Sequence, residues 1–209
     1  AIATRTPIIL WGPPGQGKTS VLNSIAAQQG STITTVLASI REPSDFAGLP
    51  NVVGDRTKLI APDWAQRIAD DEGHNLLFFD EISTAVPATQ AAMLRVSLDR
   101  IVGDTYLGDE VSIVAAANPP EQAADGWDLA PPMANRFVHL DWSLPASIVQ
   151  EGLALGWPEV TVPNLTLEDA SAEIAVAKGL VGAFLGVRND YVTVIPEASS
   201  ESGRAFPTP

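Results

Sequence analysis

The chain has 209 residues, a length that suits one α/β domain with a small appendage. It carries 25 Asp and Glu against 12 Lys and Arg, a formal net charge of -13, which disfavours general binding to nucleic-acid phosphates. It has no cysteine, which excludes disulfides and thiolate metal sites and agrees with a reducing, cytoplasmic setting.

The N-terminal residues lack the charged start and apolar core of a signal peptide. No apolar run approaches the length of about 18 residues that a membrane helix needs. The chain also begins without Met. We therefore expect a fragment, a processed chain, or the ordered part of a longer protein, without a membrane span.

The first quarter of the chain predicts a strand, a loop, a helix and a second strand. Residues 7–11 form a short apolar run that is typical of a buried parallel strand. A loop rich in Gly and Pro follows over residues 12–17, and apolar residues at helical spacing predict a helix over 18–29, with Gly30 as its C-terminal cap. The β-branched residues of 32–38 predict the second strand.

The middle of the chain continues this alternation. Residues 41–62 are too long for a plain connection, so we expect small elements or a working loop there. The remaining predictions are helices over 64–69 and 87–98, strands over 76–79, 111–116 and 137–140, and a hairpin over 100–110. Alternating strands and helices indicate an α/β fold: a five-stranded parallel sheet covered on both faces, in three layers.

The pattern changes after residues 143–146. Residues 148–155 and 170–185 are rich in Ala, Leu and Val with helical spacing. We expect two regions, a core over 1–145 and a smaller helical region over 146–209. The polar end, residues 197–209, is expected to be extended or poorly ordered.

The strongest motif is the loop between the first strand and the first helix, which matches G-x-x-x-x-G-K-[ST] in full. Its glycines allow backbone N–H groups to face phosphates, and the following helix contributes its positive N-terminal end. Lys18 supplies a charge for the β- and γ-phosphates, and the Thr19 hydroxyl can ligate magnesium. The predicted nucleotide-binding residues are Gly12, Pro13, Pro14, Gly15, Gln16, Gly17, Lys18, Thr19 and Ser20.

Two carboxylates, Asp80 and Glu81, follow the apolar strand 76–79. A carboxylate at the carboxyl end of a strand lies at the ligand crevice of an open α/β sheet. Asp80 can hold magnesium, and Glu81 can act as general base towards the attacking water. Because helix N-caps also favour Asp, this pair gains its meaning from the phosphate loop.

Asn118 and Arg136 are further candidates with open alternatives. Asn118 follows a strand and can orient the attacking water, or it can form a turn before two prolines. Arg136 precedes the last core strand and can reach the γ-phosphate of a neighbouring subunit, or it can form a surface salt bridge. His74 and His139 lack ligand spacing, so no metal site is predicted at them.

In this order, the motifs resemble those of AAA+ ATPases, and most closely the MoxR-related branch. Residues 12–19 are similar to Walker A, 76–81 to Walker B, Asn118 to sensor 1 and Arg136 to the arginine finger. Residues 44–48 resemble the start of the helix-2 insert of that branch, and 98–106 resemble the hairpin before sensor 1. The sensor 2 arginine is not assignable, since Arg188 and Arg204 lack a helical context.

The resemblance implies a P-loop NTPase core followed by part of a helical lid, with ATP and Mg²⁺ as cofactors. It also implies a ring homo-oligomer, a hexamer in the family, that binds ATP between subunits and remodels partner proteins. MoxR-like members often act as chaperones and work with a von Willebrand A-domain protein.

Three functions remain to be separated. The first is an ATP-hydrolysing remodelling motor or chaperone subunit, which the general base Glu81 favours. The second is a nucleotide-gated scaffold with little turnover. The third, a nucleic-acid motor, predicts a basic hairpin before sensor 1, whereas residues 101–110 are acidic.

Overall fold

The computed structural model describes residues 4–119, 126–157, 161, 167–194, 196 and 203–208. Its strands are β1 (Ile8–Trp11), β2 (Thr32–Leu37), β3 (Leu49–Val53), β4 (Arg56–Ile60), β5 (Asn75–Asp80), β6 (Ile101–Val102), β7 (Thr105–Tyr106), β8 (Val111–Ala117) and β9 (Val138–Asp141). Its α-helices are α1 (Lys18–Gln29), α2 (Ser44–Ala47), α3 (Asp63–Asp70), α4 (Pro87–Asp99), α5 (Pro131–Ala134), α6 (Ala146–Leu155) and α7 (Leu167–Val187). Short 3₁₀ turns lie at Ala38–Ile40, Ile82–Thr84 and Asn189–Tyr191.

The central sheet has five strands in the order β2-β5-β8-β1-β9. Every neighbouring pair runs parallel. The predicted five-stranded parallel sheet is therefore confirmed. All the strand carboxyl ends meet at one edge, where β1, β5 and β8 are adjacent.

Helices cover both faces of the sheet because successive strand side chains point to opposite sides. Phe78 packs in a buried cluster with Leu22 and Ala26 of α1. Its neighbour Phe79 belongs to a larger cluster on the other face, together with Met93 of α4. The predicted three-layer architecture is confirmed.

The long connection predicted to hold small elements contains α2 and the antiparallel pair β3–β4. The hairpin predicted over 100–110 contains β6–β7, and it packs against the β3–β4 hairpin. Asp104 N–H donates to the Leu59 carbonyl oxygen at 2.9 Å, and Leu59 N–H donates to Asp104 Oδ2 at 2.8 Å. The two hairpins therefore form one hydrogen-bonded unit.

The C-terminal region begins after β9 and contains α6 and α7. Residues 203–208, which contain neither helix nor strand, contact the core: Phe206 N–H donates to Asn135 Oδ1 at 3.0 Å. The other residues of the predicted extended end, 197–202 and 209, lie outside the described residues. Among the helices described, none combines the length and apolarity needed to cross a membrane.

Candidate active site

The loop between β1 and α1 is shaped by glycines. Gly15 and Gly17 have φ of 74° and 71°, in the left-handed region that glycine adopts without strain. The backbone N–H groups of residues 15–20 donate to no acceptor among the described residues. Because these groups lie at the N-terminus of a 12-residue helix, they form a site suited to phosphate oxygens.

Lys18 is buried and extends along the inside of this loop. Its Nζ donates to the carbonyl oxygens of Gly12 and Pro13, at 2.5 and 3.0 Å, and to Asn118 Oδ1 at 3.2 Å. Burial lowers the pKa of Lys18, while the charges of Asp80 and Glu81 act in the opposite direction. The ammonium group thus links the start of the loop to the end of β8.

Thr19 and Asp80 place a hydroxyl and a carboxylate side by side. Thr19 Oγ1 donates to Asp80 Oδ2 at 3.3 Å. Hard oxygen donors of this kind fit Mg²⁺, which takes its remaining ligands from water and phosphate. The described residues hold no group of three or more His, Cys, Asp or Glu that could bind a metal by themselves. The donor set therefore fits a magnesium ion that is shared with a nucleotide.

Glu81 lies at the carboxyl end of β5 in the left-handed region, with φ of 55°. Such a conformation is strained for a residue with a side chain and is typical of functional positions. Ser39 Oγ donates to Glu81 Oε2 at 3.0 Å. Ser39 was missed in the sequence, although it follows β2, the strand that pairs with β5.

One cavity of about 350 Å³ brings most of the predicted residues together. It is lined by Pro14, Gly15, Gln16, Gly17, Lys18, Thr19, Ser20, Asp80, Glu81 and Asn118. Gly12 and Pro13 lie at the start of the loop and reach the site through their contacts with Lys18. Residues at the ends of three adjacent strands thus surround one space.

Arg136 does not join this cavity within the chain. It is exposed and lines a separate surface pocket of about 390 Å³, between α5 and residues 206–208. Its side chain has no ion pair or hydrogen bond with a described residue, so the alternative of a surface salt bridge is not seen there.

The two arginines considered for sensor 2 also lie outside the cavity lining. Arg188 pairs with Asp190 at 2.7 Å. Arg204 pairs with Asp141 at 3.2 Å and stacks on the Trp11 ring at 4.2 Å. Neither has a hydrogen bond or ion pair with the phosphate loop among the described residues.

Comparisons with known proteins agree with this geometry. The family model described as "ATPase family associated with various cellular activities (AAA)" matches residues 8–137. The ribosome biogenesis ATPase RIX7 of Saccharomyces cerevisiae is 30% identical over 196 residues, which cover 85% of this chain and 21% of that protein. The chain thus spans about a fifth of the length of this curated relative.

Two solved structures are similar to parts of this chain. A protein from Cytophaga hutchinsonii that is provisionally classed as an ATPase is 19% identical, with a TM-score of 0.50, over 76% of this chain and 49% of that one. The Thermotoga maritima RuvB Holliday junction branch migration motor is 20% identical, with a TM-score of 0.43, over 66% of this chain and 37% of that one. Since the family model spans more than half of the chain and every residue of the cavity, the chain belongs to the AAA family of ATPases.

Proposed function

We propose that this chain binds ATP and hydrolyses it in a magnesium-dependent reaction. The observation that carries the proposal is the convergence of Lys18, Asp80, Glu81 and Asn118 on one cavity beside the phosphate loop. A scaffold that only binds nucleotide needs no general base, whereas this cavity has a carboxylate in that position.

The phosphate loop and Lys18 bind the triphosphate. Backbone N–H groups of residues 15–20 donate to the phosphate oxygens, and the Lys18 ammonium neutralises charge on the β- and γ-phosphates. Thr19 and Asp80 would hold the magnesium ion, directly or through water. When bound, that ion supplies charge stabilisation to the transferred phosphoryl group.

Glu81 and Asn118 act on the attacking water. The Glu81 carboxylate accepts the proton of the water, and the Asn118 amide orients the water towards the γ-phosphate. The hydrogen bond from Ser39 fixes one oxygen of Glu81, so that the carboxylate has a defined orientation. Arg136 acts in trans, by stabilising the transition state in the site of a neighbouring copy.

We also propose the finer assignments that the motifs suggest. The chain is a MoxR-like member that forms a ring, a hexamer in that branch, and remodels a protein client, with a von Willebrand A-domain protein as a candidate partner. Its core extends to residue 145 and a partial helical lid begins at 146, which is supported by the end of β9 at Asp141 and the start of α6 at Ala146. We propose a cytoplasmic setting.

The test is the substitution Glu81→Gln, compared with Glu72→Gln at an exposed position away from the cavity. Loss of a general base lowers turnover by about 100-fold or more, so we expect phosphate release to fall by that factor in Glu81→Gln only. Affinity for ADP is expected to stay within about twofold of wild type, because Glu81 takes no part in binding the diphosphate. Equal turnover in both variants would exclude the base and favour the nucleotide-gated scaffold.

A further inference from the structure

Trp142 follows β9 and leads a segment that crosses the phosphate loop. Its backbone N–H donates to the Trp11 carbonyl oxygen at 2.6 Å, and its indole Nε1 donates to the Gln16 carbonyl oxygen at 2.8 Å. Its own carbonyl oxygen lies 2.3 Å from the position that a Cβ on Gly12 would take, so only glycine fits there. One residue therefore contacts the phosphate loop near both of its ends.

The Gln16 side chain makes a second link to the same segment. Gln16 Oε1 accepts a hydrogen bond from Leu144 N–H at 3.1 Å. The Leu144 side chain lies 4.0 Å from the Cβ position of Gly17, so the segment also covers the next residue of the loop. Residues 142–144 are thus tied to the loop immediately before α6 begins.

The bond from Trp142 fixes a group that faces the phosphate. The Gln16 carbonyl and the Gly17 N–H belong to one planar trans peptide, so they point in opposite directions. When the indole holds the carbonyl, it also sets the direction of the Gly17 N–H, which has no acceptor among the described residues. A donor on the carbonyl further polarises the N–H and strengthens its bond to an anion.

We propose that Trp142 and Gln16 are positioning residues for the phosphate loop. They orient the Gln16–Gly17 peptide for phosphate, and they link the binding of phosphate at the loop to the segment that leads into α6. This inference rests on the nucleotide binding proposed above. It concerns residues to which the steps proposed above assign no role towards the attacking water or the magnesium ion.

The experiment measures affinity for ADP in Trp142→Phe and Gln16→Met. Phe keeps the ring but removes the indole donor, and Met keeps the length of Gln but removes the acceptor. Trp157→Phe and Gln29→Met are matched controls, because both residues are exposed and lie outside the cavity lining. Loss of one such hydrogen bond is expected to weaken ADP binding about fivefold in each test variant and in neither control. Lys18→Ala provides the reference for lost phosphate binding.

A spectroscopic signature separates positioning from a loss of fold. Wild type and Trp157→Phe are expected to change tryptophan emission when ADP is added, whereas Trp142→Phe is expected to lose that change. Thermal unfolding without nucleotide should show that Trp142→Phe and Trp157→Phe both remain folded at the temperature of the binding measurement. Unchanged ADP affinity in both test variants would overturn the inference while leaving the proposed ATPase intact. A wild-type chain that binds no ADP would overturn both.

Discussion

His139 is half-buried and accepts a hydrogen bond that requires a neutral ring. Trp11 Nε1 donates to His139 Nδ1 at 2.9 Å, and His139 Nε2 lies 2.8 Å from the Ala134 carbonyl oxygen, to which it donates. Burial lowers the pKa of His139, and the nearby Arg204 acts in the same direction. The bond to Ala134 and the charge of Asp141 oppose this shift. Protonation would break the bond from Trp11, which directly precedes the phosphate loop.

The protein is therefore expected to lose stability in mild acid through His139. The unfolded chain takes up a proton near the ordinary pKa of about 6.5, whereas the folded chain does so only at a lower pH. Stability is full above about 6.5 and falls as the pH drops towards the lowered pKa. His139→Gln keeps an acceptor and a donor without titrating, so its unfolding midpoint should fall less between about pH 7.5 and 5.5. Equal falls in both proteins would contradict this.

Some residues of the site could be predicted from the sequence pattern next to them, whereas others depend on the order of the strands in the sheet. Lys18 and Asp80 could be predicted because each stands next to a strand or a helix whose pattern is visible in the sequence. Ser39 could not be assigned in the same way, because its contact with Glu81 depends on β2 lying beside β5. The contact of Trp142 with Gln16 depends on β9 lying beside β1, and local patterns do not encode that order.

At the scale of the elements, the β3–β4 and β6–β7 hairpins approach each other closely at a glycine of the second hairpin. Gly103 has φ of 58°, and a Cβ on it would lie 2.5 Å from the Leu59 carbonyl oxygen. Gly54, at the turn of the other hairpin, has φ of 67° and nothing within 4 Å of its Cβ position. The two positions share a left-handed backbone and differ in the space around them.

Alanine substitutions at Gly54 and Gly103 test how closely the two hairpins pack, through the free energy of unfolding that each variant loses. Gly54→Ala is expected to lower the free energy of unfolding by about 1 kcal/mol, from backbone conformation alone. Gly103→Ala carries the same backbone cost and in addition pushes the β6–β7 hairpin away from Leu59, so it should lower stability by about 2 kcal/mol or more. Denaturant unfolding of both variants measures the difference. Equal losses would show that the hairpins do not pack closely in solution.

The strands of the central sheet and the longer helices were predicted well, whereas the exposed strands β3 and β4 were not. The helix over 18–29 matches α1, since a glycine precedes it and Gly30 ends it with φ of 63°. The pair β3–β4 was expected only as unspecified small elements. Every residue of β3 is exposed, so it lacks the alternation of buried and exposed residues that identifies a strand in a sequence.

At the scale of the whole molecule, we propose that hydrolysis depends on a second copy of the chain, because Arg136 is exposed and lies outside the cavity of its own chain. Arg136→Ala alone and Glu81→Gln alone are each expected to be inactive as pure proteins. In an equal mixture, about a quarter of the interfaces join an intact Glu81 cavity to an intact Arg136, so phosphate release should partly recover.

The matched control is Arg56→Ala, which removes an exposed arginine from the β3–β4 hairpin. Its activity should stay close to wild type, whether it is measured alone or in a mixture. A mixture of Arg136→Ala and Glu81→Gln that stays as inactive as its components would show that Arg136 does not act on a neighbouring site.

The most direct test is sedimentation of the wild-type chain with magnesium and a slowly hydrolysed ATP analogue, with phosphate release from ATP measured on the same preparation. We expect nucleotide-dependent oligomers, together with phosphate release that stops when magnesium is removed. A monomer that binds nucleotide and releases no phosphate would contradict the assignment of this chain as a hydrolysing ATPase, and would favour a nucleotide-binding module.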